Sequence, residues 1–249
     1  DQFVLPGNVA TSRVYLSDAD KRAVVVKEDD ILTKYEIHEN HAEVSKATVD
    51  ELRTWLSNKC FKMRSLDGTT NVMTSRYVCK WKWVQVNDQW CRIIRMRLVL
   101  RGFMDLDAFN LETFAGTARR TSQRLLASEA ACNKGFILAS LDIDKAFLKG
   151  FTYKELAAAT GEEERLVCFK LPAGSAAILR TIEGFEDYDE SRHCLESMKA
   201  GTGTKDAPRA FSLKLKKTTG GFGLQSTSFD PEFEIMKDLR TAKHVDDVN

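Results

Sequence analysis

The chain has no apolar run of about 18 residues, so it offers no candidate for a transmembrane helix. It has almost no net charge, +1 over 249 residues, so charge as a whole does not mark it as a nucleic-acid binder. No two of its six cysteines stand in a C-x-x-C pair, which argues against a zinc or disulfide framework and for small buried thiols in a reducing compartment. His38-Glu39-Asn40-His41 sets two histidines three apart, but nothing nearby completes a ligand set. The opening Asp1-Gln2-Phe3-Val4-Leu5-Pro6 lacks the basic and apolar regions of a signal peptide, and an initiator Met is lacking too. The chain reads as a fragment or a conceptual translation, intracellular, in cytoplasm or nucleus. No internal repeat or low-complexity tract occurs. Hydrophobic and charged shares of 43% and 29% are those of an ordinary globular protein, large enough for one domain or two subdomains.

Residues 1–45 are polar and weakly periodic and read as an extended or poorly ordered lead-in. Val49, Leu52, Trp55 and Leu56 then carry helical spacing over 47–58, with Thr48 as the expected cap. Trp55 reads as a packing residue. From Asn71 to Arg101 the period becomes two. Cys79, Trp81 and Trp83 share one strand face and Lys80 and Lys82 the other. After an Asn87-Asp88-Gln89 turn, Ile94, Met96, Leu98 and Leu100 alternate with Arg95, Arg97, Val99 and Arg101. Seven basic residues face a single acidic one, Asp88, between Arg76 and Arg101. That bias suits a phosphate-rich partner; a solvated strand face is the bland alternative.

A helix is expected over 121–133, capped by Thr121 or Ser122 and stopped at Gly135. The apolar run Phe136 to Leu141 reads as a buried central strand entering Asp142. Val167 to Leu171 reads as another strand. Pro208 suits the first turn of a helix that Gly220-Gly221 ends. Asp142-Ile143-Asp144 and His244-Val245-Asp246-Asp247 are carboxylate elements of the kind that hold Mg²⁺, although an Asp-Asp pair alone is far more often a surface turn.

Five elements together resemble a known family. Arg97-Leu98-Val99-Leu100-Arg101-Gly102-Phe103 looks like R-L-V-A-R-G-F, and Glu112-Thr113-Phe114-Ala115 like E-T-F-A-P-V. Leu141-Asp142-Ile143-Asp144-Lys145-Ala146-Phe147-Leu148-Lys149-Gly150 looks like M-D-V-K-T-A-F-L-N-G. Gly203-Thr204-Lys205-Asp206-Ala207-Pro208-Arg209-Ala210-Phe211 looks like G-L-K-Q-A-P-R-A-W, and His244-Val245-Asp246-Asp247 like Y-V-D-D. In that order they resemble the fingers and palm of copia-type retrotransposon reverse transcriptases.

The resemblance implies an α+β, right-hand polymerase fold: fingers over 46–135 and a partial palm over 136–249, its antiparallel sheet backed by helices. It implies RNA-directed DNA synthesis by two-metal phosphoryl transfer, with Mg²⁺ (or Mn²⁺) held by Asp142, Asp246 and Asp247. Arg97, Arg101, Lys145, Ala146, Phe147, Gly203 and Lys205 match nucleotide-binding positions, Phe147 as the steric gate against a ribose 2′-hydroxyl. Lys80, Lys82 and Arg95 would bind nucleic acid. Partners would be an RNA or DNA template-primer, deoxynucleoside triphosphates, and the thumb, ribonuclease H and integrase regions of a parent polyprotein, with no membrane. The chain departs from the family at His244 (usually Tyr), Gly116 (Pro), Thr202 (aromatic) and Phe211 (Trp). The strand expected after Asp247 lies outside these residues, so the Asp-Asp hairpin should keep only its first strand. A catalytically inactive remnant that at most binds nucleic acid is one alternative. A different two-metal palm enzyme, such as a nucleotidyl cyclase, is another.

Overall fold

A computed structural model describes residues 12–16, 23–27, 30–244 and 247–248. The elements in chain order are β1 (Ser12–Leu16), β2 (Ala23–Lys27), α1 (Lys34–Glu39), α2 (His41–Ser57), β3 (Phe61–Ser65), β4 (Val72–Val86), β5 (Gln89–Leu100), α3 (Arg120–Cys132), β6 (Leu141–Asp142), α4 (Tyr153–Thr160), β7 (Val167–Lys170), α5 (Ala176–Leu179), β8 (His193–Ser197), α6 (Ala207–Gly221), β9 (Gln225–Ser226), β10 (Phe233–Met236), β11 (Leu239–His244) and β12 (Asp247–Val248). The fold is α+β. Among the described residues no helix is long and apolar enough to cross a membrane.

The chain divides into two compact units, 1–51 with 77–97, and 52–76 with 98–249. The division cuts through the β4–β5 hairpin. In the first unit, α1 occupies part of the segment expected to be extended. Thr33 caps it with a reciprocal Glu36 contact, so local capping chemistry outweighs weak periodicity. Helix α2 begins at His41, and Thr48 is no cap: it sits inside the helix and its hydroxyl donates to the Val44 carbonyl. The hairpin follows its alternation. Ile94 and Met96 are buried with Cys79 and Leu32, while Lys80, Lys82 and Arg97 are exposed. Asn87 and Asp88 both have positive φ, as a two-residue hairpin turn requires. Trp83, expected beside Cys79 and Trp81, is exposed near the hairpin tip.

The second unit holds a fully buried Trp55 against Phe61 and Phe169. Strand order in the larger mixed sheet is β3-β8-β7-β4-β5, with β4 and β7 parallel. A second sheet, β6-β12-β11-β10-β9, is antiparallel throughout. Leu126 of α3 packs with Phe233 of β10 and Ala242 of β11, so a helix backs this sheet.

Two sequence expectations fail here. Phe136 to Leu141 is not a buried central strand: only Leu141 and Asp142 pair, at the sheet edge, and Ile137 is 91% exposed. A central strand needs a hydrogen-bonded neighbour on each side, and among the described residues β6 pairs with β12 alone. The Asp-Asp hairpin, in turn, does have a second strand. Asp247 and Val248 return antiparallel to His244 and Lys243, because the short β12 finds a partner on either side, β11 and β6.

Candidate active site

Asp142 lies on β6, exposed, at the end of the loop from α3. The register of β12 on β6 sets Asp247 directly opposite it. Facing residues of antiparallel strands have Cα atoms about 4.5–5.5 Å apart. Asp246 lies outside the described residues. Among those described, no group of three or more metal-ligating side chains gathers, so the described part of the site is this aspartate pair. Carboxylate oxygens are the hard donors Mg²⁺ requires, and in donor chemistry the pair fits that ion.

After Asp142 the backbone is unusual. Lys145 has φ +55°, a left-handed conformation that a non-glycine residue adopts at a cost of about 1–2 kcal/mol. It opens the 3-10 turn Ala146–Lys149, in which Ala146 and Leu148 are buried and Phe147 is half-buried. The turn leads to α6, where the Phe151 N–H donates to the Ala210 carbonyl at 3.2 Å. The Leu141–Gly150 and Gly203–Phe211 elements are therefore neighbours. Phe147 is neither core nor freely exposed.

The Gly203–Phe211 element also meets the end of β5. The Leu100 N–H donates to Thr202 O (2.8 Å) and the Gly102 N–H to Gly203 O (3.2 Å). Gly203 has φ +100°, and a Cβ there would overlap the Leu100 carbonyl oxygen; a Cβ on Gly102 would run into Gly203 O. Only glycine permits this approach of two backbones. Arg101 is exposed at the junction. Lys205 is also exposed, and its Nζ donates to the Ala108 carbonyl (3.2 Å). The structure thus brings together Arg101, Gly203 and Lys205, and Asp142 with Asp247. Lys80, Lys82, Arg95 and Arg97 belong to the first unit. Three of them are exposed, and Arg95 is half-buried.

A charged cluster that the sequence did not suggest sits below the same loop. Arg165 reaches Asp206 (2.6 Å), Asp107 (3.4 Å) and Asp105, and Asn71 donates to Asp105 (2.9 Å). Burial works against the ionised Asp105, but hydrogen bonds from Asn71 and Arg165 outweigh it and hold its pKa below the usual carboxylate value. Asp206 moves the other way, because burial raises its pKa despite Arg165. The buried Tyr153 ring lies 5.4 Å from the Arg165 guanidinium. Arg165 follows Glu162-Glu163-Glu164, and nothing local distinguishes it from a solvated charge.

The second sheet carries a further buried pair, Lys243 with Glu234 at 2.7 Å, on the strand that leads to Asp246 and Asp247. The cysteines are free thiols, with Cys60, Cys79, Cys168 and Cys194 buried and Cys91 and Cys132 exposed. No family model, curated protein or solved structure matches the chain.

Proposed function

We propose that the chain is the fingers and part of the palm of a copia-type reverse transcriptase, and that it adds deoxynucleotides to a primer on an RNA or DNA template. The observation that carries the reading is the register of β6 and β12, which sets Asp142 opposite Asp247 although the two lie far apart in sequence. Residues facing each other across antiparallel strands share one face of the sheet. The left-handed Lys145 beside them adds support, since such backbone strain concentrates at functional sites.

In the reaction a primer 3′-hydroxyl attacks the α-phosphorus of the incoming triphosphate; a new P–O bond forms and pyrophosphate leaves. Asp142 and Asp247, with Asp246, would hold the divalent ions, which supply Lewis-acid stabilisation of the attacking and leaving oxygens. Arg101 and Lys205, both exposed on the two segments that meet at the loop junction, offer cationic donors to triphosphate oxygens. The N–H groups around Lys145 and Ala146 open a short turn next to Asp142, where a phosphate oxygen can accept them. Phe147, half-buried on that turn, can press on the sugar and exclude a 2′-hydroxyl.

A Mn²⁺ titration followed by electron paramagnetic resonance tests the joint site. Asp142→Asn and Asp247→Asn should each weaken Mn²⁺ binding at least about tenfold, as the loss of one ligand of a shared site does. Equal binding by both variants and the wild type would show that no shared site exists.

A further inference from the structure

Strand β12 joins β6 to β11 over two residues: Asp247 and Val248 pair with Asp142 and Leu141 on one side and with His244 and Lys243 on the other. Strands that flank one common neighbour lie about 9–10 Å apart. Beyond Val248 the segment 136–140 and the 239–242 stretch of β11 continue on either side, and among the described residues no strand lies between them. Both registers, carried on residue by residue, set Ala139 across from Thr241, Leu138 from Arg240, Ile137 from Leu239 and Phe136 from Asp238. All of these residues line one cavity of about 460 Å³. Leu126, Glu129 and Ala130 of α3 close one side of it, where Arg240 pairs with Glu129 at 3.3 Å. The edges of this slot carry unused hydrogen-bonding groups. The Lys243 N–H donates to Glu232 O at 3.0 Å, so the alternation of an antiparallel ladder turns the Ala242 and Arg240 N–H groups toward the slot. Opposite them, among the described residues, no hydrogen bond joins the backbone of 137–140 to another segment. The buried Thr241 hydroxyl also lacks a partner.

We infer that this slot is a docking site for an extended apolar peptide strand of another polypeptide, running in the direction of β12 and pairing with β11 on one side and with 137–140 on the other. In strand addition the main-chain hydrogen bonds give affinity and the pockets for alternate side chains give specificity. A small apolar solute would fill the volume but leave both backbone edges unpaired, and a buried N–H or C=O without a partner costs about as much as a lost hydrogen bond. A strand satisfies both edges at once. Its alternate side chains on the α3 side lie among Leu126, Ala130 and Leu138, which makes apolar residues the fitting ones there. Docking turns the unpaired run from Phe136 into a hydrogen-bonded continuation of β6 and covers part of its exposed apolar surface. It needs neither metal nor nucleotide.

The test is fluorescence anisotropy of a fluorescein-labelled hexapeptide of alternating valine and threonine, titrated with the full chain in chelator, where an active polymerase and an inactive remnant behave alike. Saturable binding is expected, together with slowed amide hydrogen exchange over 136–141 and 239–242. The same peptide with a central proline should bind about three- to tenfold more weakly, because proline cannot donate to the ladder. Ala130→Glu, on the half-buried side of α3 that lines the slot, should weaken binding at least about tenfold by setting a charge against apolar side chains. Leu138→Lys should do the same from the facing wall. Melting temperatures should stay unchanged, since neither side chain is in the core of the free protein. No binding by the wild type, or binding that neither the proline nor the two substitutions weaken, would overturn the inference. So would protection from exchange confined to other segments, or sedimentation showing that a second copy of the chain fills the slot.

Discussion

Arg165 stands among carboxylates that burial would otherwise leave unpaired: its Asp105 and Asp206 partners are almost wholly out of water. Arg165→Met should cost about 3–5 kcal/mol at neutral pH, because removing one partner of a buried ion pair strands the others. The pH dependence has a definite sign. Asp105, with its pKa lowered in the fold, contributes stability above its unfolded pKa and loses it as pH falls through the folded value. Asp206, with its pKa raised, contributes below its unfolded value and loses that contribution as pH rises through the folded one. Without the guanidinium both carboxylates favour protonation. The gap between wild type and variant in urea unfolding should therefore be larger at pH 7 than at pH 4; an equal gap would mean that Arg165 acts by packing alone. Gly203 makes a related point. Its left-handed φ and its contact with Leu100 O follow from two segments meeting far apart in the chain, and no residue beside it signals that meeting. The sequence offered Gly203 only through its place in a family-like motif.

The elements differ in how much of themselves their sequences reveal. The β4–β5 hairpin was readable because its alternation and its Asn87-Asp88 turn are local. Helix α6 was readable from Pro208 in its first turn. The segment before β6 departs from the strand its apolar run suggests, because apolar composition favours burial while the pairing of neighbouring strands decides whether a strand forms. The start of α3 was half readable. Its expected caps, Thr121 and Ser122, give way to Asp230, which accepts the Arg119 N–H at 2.8 Å and the Ser122 hydroxyl. Burial works against the ionised Asp230, but the Ser122 hydrogen bond and the backbone N–H groups outweigh it and hold its pKa low. Asp230→Ala should cost about 1–2 kcal/mol, the usual worth of an N-terminal cap. Urea denaturation measures it, and a loss within error would mean that α3 stands without its tertiary cap.

At the scale of the whole molecule, the α+β class was legible in the alternation of helical and two-residue periods. The meeting of Asp142 with the Asp246-Asp247 element was not legible from periodicity at all: the resemblance pointed to Asp142 with Asp246 first, Asp246 lies outside the described residues, and it is Asp247 that the β6–β12 register sets opposite Asp142. Buried groups also set an alkaline limit. Burial pushes the Tyr188 hydroxyl up to about 12 from 10.0 and raises the Cys168 thiol from 9.0. Groups raised in the fold contribute stability below their unfolded pKa values and lose it as pH climbs through the folded ones. Thermal midpoints should hold to about pH 9 and fall steadily toward 12, and Cys168→Ala should flatten the early part of that fall. A midpoint flat to pH 12 would contradict the burial of these groups.

Primer extension on an RNA template in Mg²⁺, run on the wild type and Asp142→Asn under the same conditions, addresses the polymerase reading most directly. The expected result is template-dependent deoxynucleotide addition by the wild type and none by Asp142→Asn at an unchanged melting temperature. Extension that survives Asp142→Asn, or a wild type that binds template-primer yet adds nothing in Mg²⁺ or Mn²⁺, would contradict it and leave a nucleic-acid-binding remnant in its place.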